Sequence, residues 1–101
     1  MTHADYLITL HVPPSLEEAV VDCLLSFETA QGFSSFAVNA HHHSHHGSSL
    51  AELVSGRQGK ISFQMYVEKD EIAAVLNQLK TDFAGAGLHY WVTPVIEQGL
   101  I

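Results

Sequence analysis

Apolar and polar residues alternate in four stretches of this chain and recur at helical spacing in two others. From Tyr6 to Val12, the residues Tyr6, Ile8, Leu10 and Val12 share one face of an extended segment, against Asp5, Thr9 and His11 on the other. That is the two-residue period of a half-buried strand. Pro13-Pro14 ends it, since proline brings no ladder donor. Ser15 with Glu18 three residues on predicts a capping box, followed by a helical stripe of Leu16, Ala19, Val20, Cys23, Leu24 and Phe27. Gly32 suits the exit from that helix. Phe33 to Ala40 reads as a second strand, with Phe36, Val38 and Ala40 alternating against Ser35, Ala37 and Asn39.

The interval His41 to Lys60 is polar and long for a connection in a compact domain, and such loops are usually functional or disordered. Within it, Ser49 and Glu52 form a second capping-box pattern, with Gly56 placed to stop a short helical turn. Ile61 to Glu68 is the clearest strand, with Ile61, Phe63, Met65 and Val67 inward and Ser62, Gln64, Tyr66 and Glu68 outward. Asp70 is placed to cap a second helix whose apolar stripe is Ile72, Val75, Leu76, Leu79 and Phe83. Gly85-Ala86-Gly87 is a tight turn, and Leu88 to Val95 a last strand weakened near Pro94.

The order is strand, helix, strand, long loop, strand, helix, strand, in two halves of near-equal length. It predicts an α+β, ferredoxin-like βαββαβ sandwich, one domain over residues 1–101 with the long loop at 41–60. Each helix has one apolar stripe, so both cover the same face of a four-stranded antiparallel sheet. The other face carries Thr9, Ala37, Tyr66, Trp91 and Val95, and a half-apolar open face on so small a domain predicts cover by another subunit. Tyr66 and Trp91 are the aromatic contacts such a surface favours.

Charge narrows the function. The net charge is −7, and the only cations are Arg57, Lys60, Lys69 and Lys80. Nucleic acids and anionic membranes are held by many cationic contacts, so both partners are disfavoured. No apolar run approaches the ~20 residues that cross a bilayer, and Met1 to Asp5 lacks the start of a signal peptide, so a cytoplasmic protein without membrane insertion is expected. The single cysteine, Cys23, offers no disulfide framework and reads as a core residue on a helix.

Five of the eight histidines, His41, His42, His43, His45 and His46, stand within six positions at the start of the long loop. Imidazole is the commonest side-chain metal ligand. On a helix His41/His45 and His42/His46 would share a face, and in an extended segment His41/His43 would share a side, so either form could chelate one ion. Zinc, nickel and copper all suit imidazole. The spacing is not that of a structural zinc finger. Glu52 is a candidate carboxylate ligand but reads first as an exposed cap. His3 reads as part of a frayed terminus, and His11 and His89 as sheet-surface residues. Glu17, Glu18, Asp22 and Glu28 read as a solvated helix face. No base with an orienting partner in a sheltered pocket is evident, so catalysis is not expected.

The layout resembles the PII-like family of signalling proteins. Gly56-Arg57-Gln58 is similar to the Gly-Arg-Gln of T-loops, the effector arms between the second and third strands of the nitrogen-regulatory members. The stretch Thr81 to Tyr90 stands where that family has Thr-Gly-x-x-Gly-Asp-Gly-Lys-Ile-Phe: Thr81, Gly85 and Gly87 match, and Tyr90 matches in type. Leu88 replaces the phosphate-binding lysine and Asp82 a glycine that admits phosphate, and the basic residues that clasp ATP in the last strand and beyond are absent. A divergent PII-like subgroup associated with heavy-metal efflux is the nearest resemblance, and copper-tolerance-type trimers are a second. The resemblance implies a homo-oligomer, a trimer, and a regulatory role in which the histidine loop takes a transition ion and acts on a partner such as a membrane transporter or another regulated protein. Its competitors are a metal-buffering or chaperone protein, and a nitrogen-regulatory sensor that binds adenine nucleotide.

Overall fold

The computed structural model describes residues 6–28, 32–41 and 58–101. Four strands form one antiparallel sheet: β1 (Tyr6–Val12), β2 (Phe33–Ala40), β3 (Gln58–Val67) and β4 (His89–Pro94), in the order β2-β3-β1-β4. The helices α1 (Glu17–Leu25) and α2 (Ile72–Phe83) link β1 to β2 and β3 to β4. The architecture is the expected ferredoxin-like βαββαβ sandwich.

The core lies between the helices and one face of the sheet. Ile8, Leu10 and Val12 of β1, Phe63, Met65 and Val67 of β3, Val20 and Leu24 of α1, and Val75 and Leu79 of α2 are all buried. The alternation along β1 and β3 therefore faces as the sequence indicates. Ala19 is exposed, because the stripe of α1 runs through Leu16, Val20, Leu24 and Phe27, with Val21 and Cys23 packed at its border. Cys23 is accordingly half-buried, not a full core residue.

The start of each helix differs in detail from expectation. Pro14–Leu16 forms a 3-10 turn closed by the Leu16 N–H on the Pro13 carbonyl at 2.9 Å. The turn carries no side-chain cap hydrogen bond, so Ser15 does not cap α1. Two prolines with fixed φ set this turn directly, and Pro14 has no N–H that needs a cap. Ahead of α2, Lys69–Glu71 forms a second 3-10 turn, and Glu68 and Glu71, not Asp70, make the capping box. The Glu68 N–H donates to Glu71 Oε1 at 2.7 Å.

The strand β2 corrects the sequence reading most. Its register with β3 pairs Phe33 with Met65, Ser35 with Phe63 and Ala37 with Ile61, so these residues face the helices. Phe36 and Val38 pair with Ser62 and Lys60 and face the open side. The phase is set by Phe33, whose ring lies 6.1 Å from that of buried Phe63. Phe33 and Phe36 are three residues apart and cannot share a strand face, so burying one exposes the other.

Two strands also shift in extent. β3 begins at Gln58, which pairs with Ala40, so the connection between β2 and β3 spans residues 41–57. β4 ends at Pro94, on the sheet edge where proline is tolerated, and Val95 lies beyond it. After β4, Ile96, Leu100 and Ile101 are fully exposed.

Candidate functional site

Three surfaces carry the chemistry. The first is the base of the long connection. β2 and β3 pair up to Ala40 and Gln58, which holds the two ends of residues 41–57 side by side. His41 follows directly and is exposed. His42, His43, His45 and His46 lie outside the described residues, as do Ser49, Glu52, Gly56 and Arg57. Among the described residues no group of three or more His, Cys, Asp and Glu side chains is placed to hold a metal ion.

The second surface is a cavity of about 230 Å³ where α2 runs out into β4. Its apolar wall is Leu10, Leu76, Leu79, Phe83, Leu88 and Tyr90. The turn that forms its rim needs left-handed backbone at Gly85 and Gly87, with φ of +77° and +83°. The Ala86 N–H closes it on the Phe83 carbonyl at 3.0 Å. Leu88, half-buried, occupies the place where the resemblance has a phosphate-binding lysine. The cavity does have a cation that the motif comparison missed: Lys80, one turn earlier on α2, with its Nζ 5.5 Å from the Tyr90 ring centre. Helical spacing from the Gly85 turn was the signal that could have found it. On the outer side of α2, the Gln78 amide donates to Asp82 at 2.9 Å. Asp82 also faces Cys23 of α1; burial first, then the Asp82 charge and a hydrogen bond to it, push the thiol pKa up.

The third surface is the open face of the sheet. His11 on β1 and His89 on β4 are direct cross-strand partners, and Trp91 pairs with Thr9 in the next row. The His11 and Trp91 rings meet edge to face with centres 5.0 Å apart, and His89 and Trp91 at 5.3 Å. Burial, then the neighbouring His89 and Lys60, hold the His11 imidazole below its ordinary pKa. Thr9 and Ser62 are buried here although neither α1 nor α2 lies on this face. Among the described residues no buried side-chain polar atom lacks a hydrogen-bond partner. Phe36, Tyr66 and Trp91 are the large exposed apolar groups of the face. No helix among the described residues is long and apolar enough to cross a membrane.

This sandwich, with a long β2–β3 connection and a glycine turn before β4, is a PII-like fold. The chain belongs to the family described as protein of unknown function DUF3240, whose model matches residues 2–101. A DUF3240 family protein from Shewanella baltica OS155 superposes with a TM-score of 0.79 at 19% identity, over 99% of each chain. The nitrogen-regulatory PII-like protein CPII from Thiomonas intermedia K12, bound to ADP, AMP and bicarbonate, gives 0.70 at 12% identity, over 95% of this chain and 96% of its own. Arabidopsis thaliana PII bound to citrate gives 0.66 at 18% identity, over 93% of this chain and 77% of its own. None of the curated proteins compared with the chain matches it.

Proposed function

We propose that the chain is a small cytoplasmic regulatory protein, not an enzyme, that works as a homo-oligomer, a trimer. Its loop takes zinc, nickel or copper on His41, His42, His43, His45 and His46, and ion binding changes its affinity for a partner, for which a metal-efflux transporter is the leading candidate. One observation carries the reading: the histidine run begins directly after a strand pair that closes at Ala40 and Gln58. An ion bound there acts from a fixed base and changes the surface presented to a partner, a switch of the kind regulators use. Oligomerisation is supported by Phe36, Tyr66 and Trp91 on the open face and by exposed Ile96, Leu100 and Ile101 beyond β4.

The adenine nucleotides and bicarbonate of CPII support an effector role for this fold, and nucleotide is the competing ligand here. The cavity beside the glycine turn speaks against it, since its wall is apolar and Lys80 is the one cation among its lining residues. A polyphosphate calls for several charge-assisted donors. Calorimetric titration with each ion, on the wild type and on a variant with all five loop histidines changed to Ala, tests the reading, with oligomer mass measured in parallel. The wild type takes up ion that the variant does not. Superposable titrations of the two proteins overturn the proposal, as does micromolar adenine-nucleotide binding without any metal uptake. A storage protein is told from a regulator by the partner: storage leaves partner affinity unchanged when the ion is added.

A further inference from the structure

The open face holds a pair of imidazoles that the loop does not account for. His11 and His89 face each other across β1 and β4. Directly opposed side chains of an antiparallel pair have Cβ atoms about 4.5–5.5 Å apart, on the same side of the sheet. Both rings lie against one indole, at 5.0 and 5.3 Å between centres. Trp91 thus walls one side of the pair and narrows the orientations open to each ring. Thr9 and Ser62 are buried between these rows, so the imidazole nitrogens are the ligand atoms this patch offers best.

We infer that His11 and His89 form a two-imidazole chelate for a transition ion, copper(II), nickel(II) or zinc(II), on the open face of the sheet, from residues that are not part of the histidine run. Nitrogen donors, with no group of three His, Cys, Asp or Glu side chains among the described residues, select these ions over calcium and magnesium, which take oxygen ligands. The remaining coordination positions go to water, or to side chains of another copy laid on this face. Lys60 lies on the same face, two positions along β3 from Ser62, and its ammonium opposes a divalent ion.

Trp91 is the only tryptophan of the chain and serves as the reporter. In the variant with all five loop histidines changed to Ala, copper(II) is titrated against Trp91 emission. Saturable quenching is expected, with His89→Ala in that background raising the half-saturating concentration by roughly a hundredfold, since the second ligand binds at high effective concentration. His89 is exposed, so its substitution leaves the fold intact; a thermal melt checks this, and His11→Gln repeats the test from the other strand. Lys60→Met tightens the site severalfold. Quenching without saturation, or equal half-saturation with and without His89, overturns the inference. The loop reading fails separately, on the comparison of wild type with the five-histidine variant, so the two outcomes are distinguishable.

Discussion

The two faces of the sheet are built on opposite terms. On the helix side, Ile8, Leu10, Val12, Phe63, Met65 and Val67 are buried by α1 and α2, so that face is completed within the chain. On the other side the same strands bury two hydroxyl residues, Thr9 and Ser62, beneath a rim of His11, His89, Trp91 and Phe36. Apolar burial on the first face gives stability and little else. The second combines aromatic area, buried hydroxyl residues and imidazoles on paired strands, which suits contact with something outside the chain. The contrast separates what folds this protein from what it has available for work.

Paired truncations at Phe63 and Phe36 would break the contrast most sharply. Phe63→Ala removes a ring that is 1% exposed and should destabilise the domain by about 3–5 kcal/mol. Phe36→Ala, at 47% exposure, should stay within about 0.5 kcal/mol in the dissociated chain. In the proposed oligomer it should instead lower the mass seen by light scattering at a given concentration. Urea unfolding of both variants decides: equal losses would mean that the open face belongs to the folding core. A smaller effect comes from the helix layer. Glu71→Ala removes the carboxylate that accepts the Glu68 N–H and should cost about 1 kcal/mol by the same unfolding measurement, while leaving Trp91 emission unchanged.

The smallest effect concerns Cys23, between the helices. Its thiol pKa is raised in the folded chain, so folding favours the protonated form. That contribution is full below the free thiol's pKa, about 8.5, and is lost as pH rises from there through the folded value. Stability should therefore decline slightly on the alkaline side and be flat in this respect at neutral pH. Asp82→Asn removes the second cause of the shift, and iodoacetamide should then alkylate Cys23 severalfold faster at mildly alkaline pH. An unchanged rate would mean that burial alone holds the proton.

Most of the fold is legible in the sequence because β1, β3 and α2 have clean periods: one face of each is uniformly apolar. β2 is not, since Phe33-Ser34-Ser35-Phe36 offers one aromatic to either face. Only the register with β3 decides between them, and register is a tertiary fact. The cap of α2 was missed for a related reason. Asp70 and Glu71 are both acidic neighbours of the helix start, and the 3-10 turn decides which one reaches the Glu68 N–H. The histidine run is visible as composition, and His41 is found exposed at the end of β2, while its other members lie outside the described residues. The His11–His89 pair could not be read from the chain, where the two lie near opposite ends. It exists because β1 and β4 are neighbours in the sheet and pair in that register.

The closure of the strand pair at Ala40 and Gln58 has an evolutionary consequence. With the sheet holding both ends, the closure cost of a longer connection between them grows slowly, by about 0.6 kcal/mol for each doubling of a flexible loop. A change of length between Ala40 and Gln58 therefore leaves the paired strands on either side with the same register to form. A lineage can retune what this segment recognises without renegotiating the fold that carries it.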